Sequence, residues 1–280
     1  MSVRHDAVRA FLALSGRGRT WRSPEALDAA IARRAPWPAS PPTPSPGITV
    51  SVTEDGGWPV VRLVPPRAAG SVVALHGGAY VFGPEPQHWS FWRAIALAGR
   101  RTVVVPLYRL APEGTAAETV PHVARLAARL GAEGPVALLG DSAGGGMALA
   151  AAQVLAAEGL PIPLLLSAPW LDGGVTAPWT APRDPWLAPP GLRRAAELYR
   201  GGLPVEHPFV SPLLGDLGGL GSIVVASGTR DVLHRDALRL EERCPSPVRV
   251  LVGEGLLHNY PLLPVPEARP ARRTFVDALR

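Results

Sequence analysis

The chain has 280 residues, 47% hydrophobic and 18% charged, with a net charge of +5. That length and apolar content suit one large α/β domain. All 28 basic residues are Arg, spread along the chain without a dense run, which argues against a nucleic-acid surface.

Residues 4–34 read as one or two amphipathic helices. The Pro-rich stretch 35–46 follows as an extended linker. A strand pair is predicted at 48–53 and 60–64, then a buried strand at 72–75. Next come a helix over 89–98, a strand over 102–106, a helix over 119–130 and a strand over 136–139. A helix-prone run fills 143–157. Strands at 164–168, 223–227 and 248–252 and a helix near 270–279 complete the order. Strands alternating with helices predict a mostly parallel sheet of eight strands with helices on both faces. Catalytic loops then belong at the C-terminal strand edges.

Two motifs sit at such edges. Gly140–Asp141–Ser142–Ala143–Gly144 is a Gly-x-Ser-x-Gly run between the strand at 136–139 and the helix at 143–157. Without Cβ atoms at Gly140 and Gly144 the chain can double back and lift the Ser142 hydroxyl clear. The motif is short, and a chain with 30 Gly and 33 Pro makes such runs by chance. Its strand–turn–helix setting gives it weight. Upstream, the strand at 72–75 ends in His76–Gly77–Gly78–Ala79–Tyr80. A Gly pair after a strand is often an ordinary tight turn. Here its backbone N–H groups would face that of Ala143 across a developing oxyanion.

His76–Tyr80, Tyr108–Arg109–Leu110–Ala111–Pro112–Glu113 and Gly140–Gly145, taken in this order, resemble the bacterial hormone-sensitive-lipase-like esterases of the α/β-hydrolase superfamily. The resemblance runs from about residue 71 to the C-terminus. It implies an α/β-hydrolase fold with a small helical cap. It implies oxyanion donors at Gly78, Ala79 and Ala143, although the family often has Gly where Ala79 stands. It also implies supporting places for His76, Glu113 and Asp141.

The chain order in this fold is serine, acid, histidine. Of the seven histidines, His5, His76, His88 and His122 precede Ser142. His207 lies in a loop before any late strand, and His234 at the start of a helix. His258 follows the strand at 248–252 and is the expected base; the other six read as surface groups. Asp231 follows the strand at 223–227, with Asp172 and Asp184 as weaker acids. An Asp before a helix often merely caps it, and Asp236 and Arg239 read as the exposed face of that helix. The resemblance favours Asp231, through Asp231, Leu233 and Asp236 in an Asp-x-Leu-x-x-Asp pattern. After His258 the family commonly has Phe two residues on; here Tyr260 follows Asn259.

The resemblance divides the chain into cap helices and linker at 1–47 and a catalytic domain at 48–280. A cap insert falls at about 172–212. Trp21, Trp37, Trp179 and Trp186 fall in these cap segments, among eight tryptophans in all. The single Cys244 fits a reducing compartment. Met1–Ala10 lacks the apolar core of a signal peptide, and no run is long enough to span a bilayer. The expected protein is a cytoplasmic serine carboxylesterase for short- to medium-chain esters, needing no cofactor or metal. A homodimer is left open. An arylformamidase-type amidase, or a non-catalytic binding module on the same fold, is the alternative.

Overall fold

Strand β3 (Ser71–Leu75) alternates its side chains between two cores, Val73 and Leu75 to one and Val72 and Ala74 to the other. Strand β4 (Thr102–Pro106) does the same with Val104 against Val103 and Val105, and β5 (Val136–Asp141) with Leu138 against Ala137 and Leu139. Both faces are thus covered, as an interior parallel sheet requires. The computed structural model describes residues 1–35, 37, 46–178 and 184–280. The remaining strands are β1 (Thr49–Asp55), β2 (Trp58–Val64), β6 (Leu164–Ser167), β7 (Ile223–Gly228) and β8 (Val248–Gly253). They form one sheet of order β1-β2-β4-β3-β5-β6-β7-β8, in which β2 alone runs opposite to the other strands.

The helices are α1 (Val3–Leu14), α2 (Pro24–Ala32), α3 (Pro86–Gly99), α4 (Ala116–Glu133), α5 (Ala143–Ala157), α6 (Pro189–Arg200), α7 (His234–Arg243) and α8 (Ala268–Asp277). Helix α3 starts at Pro86, earlier than its apolar pattern suggests. Glu85 and His88 form a capping box there, and Pro86 fills a first-turn position that needs no N–H. Helix α5 is apolar all round and buried from Ala143 to Ala152, packed on β5 and against α4. On the same side of the sheet, α2 packs against α6 from the long insert between β6 and β7. Most of the Pro-rich stretch 35–46, and Trp179, lie outside the described residues.

Asp236 is a correction. It is buried (3% exposed), not on an outer face of α7. Arg239 bridges its carboxylate at 3.4 Å to that of Asp172 at 3.2 Å. Burial, and then the charge of Asp172, push the Asp236 carboxyl up to about 7 against the pull of Arg239. Asp172 also accepts from the Gly174 N–H at 3.0 Å and the Thr176 N–H at 3.2 Å.

Candidate active site

The register of the sheet gathers the motifs. Leu75 pairs with Gly140, so the loops after β3 and β5 emerge side by side. Gly228 pairs with Gly253, so the loops after β7 and β8 do too. All four lie at C-terminal strand ends, where open α/β sheets bind ligands.

Ser142 sits at φ 50°, ψ −118°, a conformation that an L-residue adopts only under constraint. The constraint is visible. Its N–H donates to the Ser167 carbonyl at 2.9 Å. Its carbonyl accepts from Trp170 at 2.9 Å and from Gly146 at 3.1 Å. The turn also needs Gly144, because a Cβ there would strike the Leu75 carbonyl. The Ser142 side chain does not cap α5, which leaves the hydroxyl free.

In the loop after β3, Gly78 (φ 112°), Ala79 (φ 52°) and Tyr80 (φ 65°) are all left-handed. Tyr80 stacks on Tyr199 of α6 with ring centroids 3.6 Å apart, which anchors the strained run. Among the described residues, neither Gly78 nor Ala79 donates its N–H to another backbone group. Ala143, as the first residue of α5, has no intrahelical partner for its N–H either. His76 is fully buried and stacks on Tyr108 at 4.1 Å, with Nδ1 at 2.7 Å from the Gly77 carbonyl. Burial outweighs that bond and pushes its pKa down to about 3, so the ring is neutral and structural.

His258 Nδ1 donates to Asp231 Oδ2 at 2.8 Å, which leaves Nε2 as the basic nitrogen. The other Asp231 oxygen accepts from the Leu233 N–H at 2.9 Å, so the residue ties down the turn into α7 as well. Burial draws the His258 pKa down, but Asp231, with Asp184 and Asp141, outweighs it and holds it above its ordinary value.

Asp141, beside the serine, accepts at one oxygen from Asn259 Nδ2 at 2.8 Å and from His88 Nε2 at 3.2 Å. The Glu85 N–H points at His88 Nδ1 at 3.0 Å, which fixes the proton on Nε2. Asn259 Oδ1 accepts from Ser167 Oγ at 3.0 Å. His88 and Asn259 were not legible as site residues. His88 precedes the serine in the chain and was expected at the surface, yet it is 6% exposed.

Ser142, His258, Gly78, Ala79, Asp141, His88 and Asn259 all line one cavity of about 280 Å³. Trp21 and Ala30 of the N-terminal segment and Trp186, Leu187 and Leu192 of the insert close its other side. Glu113 stands apart. It is exposed and paired with Arg34 at 2.6 Å, lining a separate hollow with Trp37. Arg34 also donates to the Ala111 carbonyl at 2.7 Å, and Trp37 Nε1 to that of Tyr108 at 3.0 Å. Glu113 therefore anchors the N-terminal segment rather than the cavity wall. His207 Nδ1 takes the Phe209 N–H at 3.1 Å, and His234 lies 3.0 Å from Ser227 Oγ.

Strand order and the serine turn together define an α/β hydrolase. The chain belongs to the family described as alpha/beta hydrolase fold, whose model matches residues 72–262. It is 36% identical over 227 residues to a triacylglycerol lipase of Mycobacterium tuberculosis, covering 78% of this chain and 48% of that one. The chain thus spans about half the length of that relative. It is 36% identical over 210 residues to an acetyl-hydrolase of Streptomyces hygroscopicus, covering 69% and 70% of the two chains. An esterase structure from the bacterial hormone-sensitive lipase family superposes with a TM-score of 0.82 at 26% identity, covering 100% of this chain and 98% of the other. The family match and these relatives, named a lipase, an acetyl-hydrolase and an esterase, place the chain among the α/β hydrolases.

Proposed function

We propose that the chain hydrolyses short- to medium-chain carboxylic esters through an acyl-enzyme on Ser142. His258 Nε2 takes the hydroxyl proton as Ser142 attacks the ester carbonyl, and passes it to the leaving alcohol. Asp231 holds the tautomer and stabilises the imidazolium that forms. The N–H groups of Gly78, Ala79 and Ala143 bind the oxyanion, each donor contributing on the order of 3 kcal/mol to the transition state. Water, activated by the same histidine, then releases the acid. The supporting observation is that Ser142 and His258 share one cavity wall while His258 Nδ1 donates to Asp231 at 2.8 Å.

The size of the cavity supports the short substrates. At about 280 Å³ it falls just below the roughly 300–1,000 Å³ of ordinary small-molecule sites. Trp21 and Trp186 line the cavity as large rigid rings, which favours a short acyl chain. In this reading residues 1–47 and 172–212 serve as a cap over a catalytic domain at 48–280, and the protein works in the cytoplasm. No described helix is long and apolar enough to cross a membrane. A series of p-nitrophenyl esters tests the proposal. kcat/KM should rise by up to about fivefold per methylene that fits, peak between acetyl and hexanoyl, and fall beyond. A rate that climbs steadily to palmitoyl, with activation at a lipid interface, would overturn the closed pocket.

A further inference from the structure

The insert returns to the sheet at Asp184, a buried carboxylate near His258 that the hydrolysis scheme leaves unused. It is 8% exposed. One oxygen accepts from the Trp186 N–H at 2.8 Å and the Leu187 N–H at 3.1 Å. The other reaches across to the loop after β7 and accepts from the Val232 N–H at 3.2 Å. Val232 follows Asp231, whose own free oxygen holds the next N–H, that of Leu233. Two carboxylates thus grip successive amides of one turn. Trp186, held by the first oxygen of Asp184, sets its ring edge-on to the His258 ring, centroids 5.7 Å apart at 76°.

A neutral side chain could not make this arrangement. An amide offers one acceptor oxygen, whereas donors approach Asp184 from the insert on one side and from Val232 on the other. A local turn would not need a charge here either. Burial, and then the nearby charge of Asp231, push the Asp184 carboxyl up to about 6 against the pull of His258. Among the described residues, those two are the charged groups facing it. His258 is faced by Asp231 from the loop after β7, Asp184 from the insert and Asp141 from the end of β5.

We propose that Asp184 is a positioning residue for His258, pinning Trp186 and the Asp231 turn in one arrangement and adding a second negative charge that favours the imidazolium of the transition state. The proposal rests on His258 being the general base. Through Asp184 the insert, which forms part of the substrate-cavity wall, is tied to the acid–base pair.

Asp184→Asn tests this. The amide keeps an oxygen for Trp186 and Leu187 but turns its NH₂ against the Val232 N–H and removes the charge. Steady-state rates on p-nitrophenyl acetate are measured across about pH 5 to 9, with His258→Ala alongside. The expected result is a fall in kcat of about tenfold or more with KM changed by less than about threefold. The acid limb of kcat/KM should move to lower pH by about half a unit or more, since His258 loses a neighbouring negative charge. Asp184→Ala should lose more activity; if it fails to fold, the isosteric Asn variant decides. Variants with wild-type kcat and acid limb, beside an inactive His258→Ala, overturn the positioning role and leave the base in place. A raised KM with kcat and acid limb unmoved also overturns it, making Asp184 a wall residue only. An active His258→Ala overturns the base and the proposal together.

Discussion

Asn259 offers the sharpest test of how the site is braced. It occupies the left-handed region at φ 54°, ψ 33°, immediately after His258. Its amide joins two strands: Nδ2 donates to Asp141 at 2.8 Å and Oδ1 accepts from Ser167 at 3.0 Å. It is 7% exposed, so water cannot readily replace either bond. Asn259→Gly deletes the bridge while keeping a residue at ease with the backbone. The bond to the carboxylate is worth about 1.5–3 kcal/mol and the neutral one about 0.5–1.5 kcal/mol. The expected loss of stability is therefore about 2–4 kcal/mol, or a fall in Tm of roughly 5–15 °C for a chain this size. Asn259→Ala should be about 1 kcal/mol worse than Gly, because a Cβ is strained at this φ. Ser167→Ala removes only the neutral bond and should cost about 1 kcal/mol. Urea unfolding of the three variants measures all of this. A glycine variant within about 0.5 kcal/mol of wild type would refute the bridge, and an alanine variant more stable than glycine would refute the left-handed turn.

Three further outcomes are expected. Ser142→Ala should lower kcat by several powers of ten and leave the thermal unfolding curve in place, with stoichiometric fluorophosphonate labelling of the parent confined to Ser142; a labelled peptide elsewhere would move the nucleophile. The pH profile should rise through one ionisation lying above the ordinary histidine value, because only the neutral ring accepts the serine proton and Asp231, Asp184 and Asp141 together outweigh burial in favouring the charged ring. Activity is then lost as pH falls through that point, and His207→Ala and His234→Ala should leave the profile unchanged. Ala79→Gly should retain activity and gain up to about 1 kcal/mol in stability, since φ 52° strains alanine and suits glycine; a destabilised variant would mean that the loop is held open by something other than its own backbone.

The parts of the site that were legible in the sequence share one property: local patterning specifies them. The strand at 102–106 and the helix at 143–157 were predicted with the bounds they have, because a β-branched run and an Ala-rich run each announce one kind of element. Ser142 and His258 could be named because each lies in a loop directly after such a strand, and Gly78 because the motif at His76–Tyr80 resembles that of the esterases; the sheet register does the rest. What stayed hidden depends on contacts between distant residues. His88 reaches Asp141 across 53 positions, and Asn259 reaches it across 118. Nothing in the neighbourhood of either residue signals burial. Asp236 misled for the same reason. An aspartate among Arg and Glu on a polar helix reads as solvated, and only the fold brings Asp172 and Arg239 against it. Glu113 misled in the opposite sense, since the resemblance gave it a supporting place while its carboxylate turns outward to Arg34.

These hidden contacts carry a consequence for how the site works. Ser142, His258 and Asp231 each sit on a separate loop, and sheet register alone fixes where those loops leave the strands, not where their side chains meet. The remaining freedom is removed by buried carboxylates with several donors each. Asp141 ties the serine turn to the loop after β8 and to α3, through Asn259 and His88. Asp231 ties His258 to the turn into α7, and Asp184 ties that turn to the insert. A carboxylate suits this work because it has two oxygens and about four acceptor positions, so one residue can hold two segments at once. Its charge is tolerated at low solvent exposure only because every oxygen used faces an N–H. The same charges favour the protonated ring of His258, which is the form the proposed mechanism needs when Ser142 attacks. If His258 is the base as proposed, bracing and charge stabilisation fall to the same three side chains, and neutralising any one of them should loosen the geometry and weaken the base together.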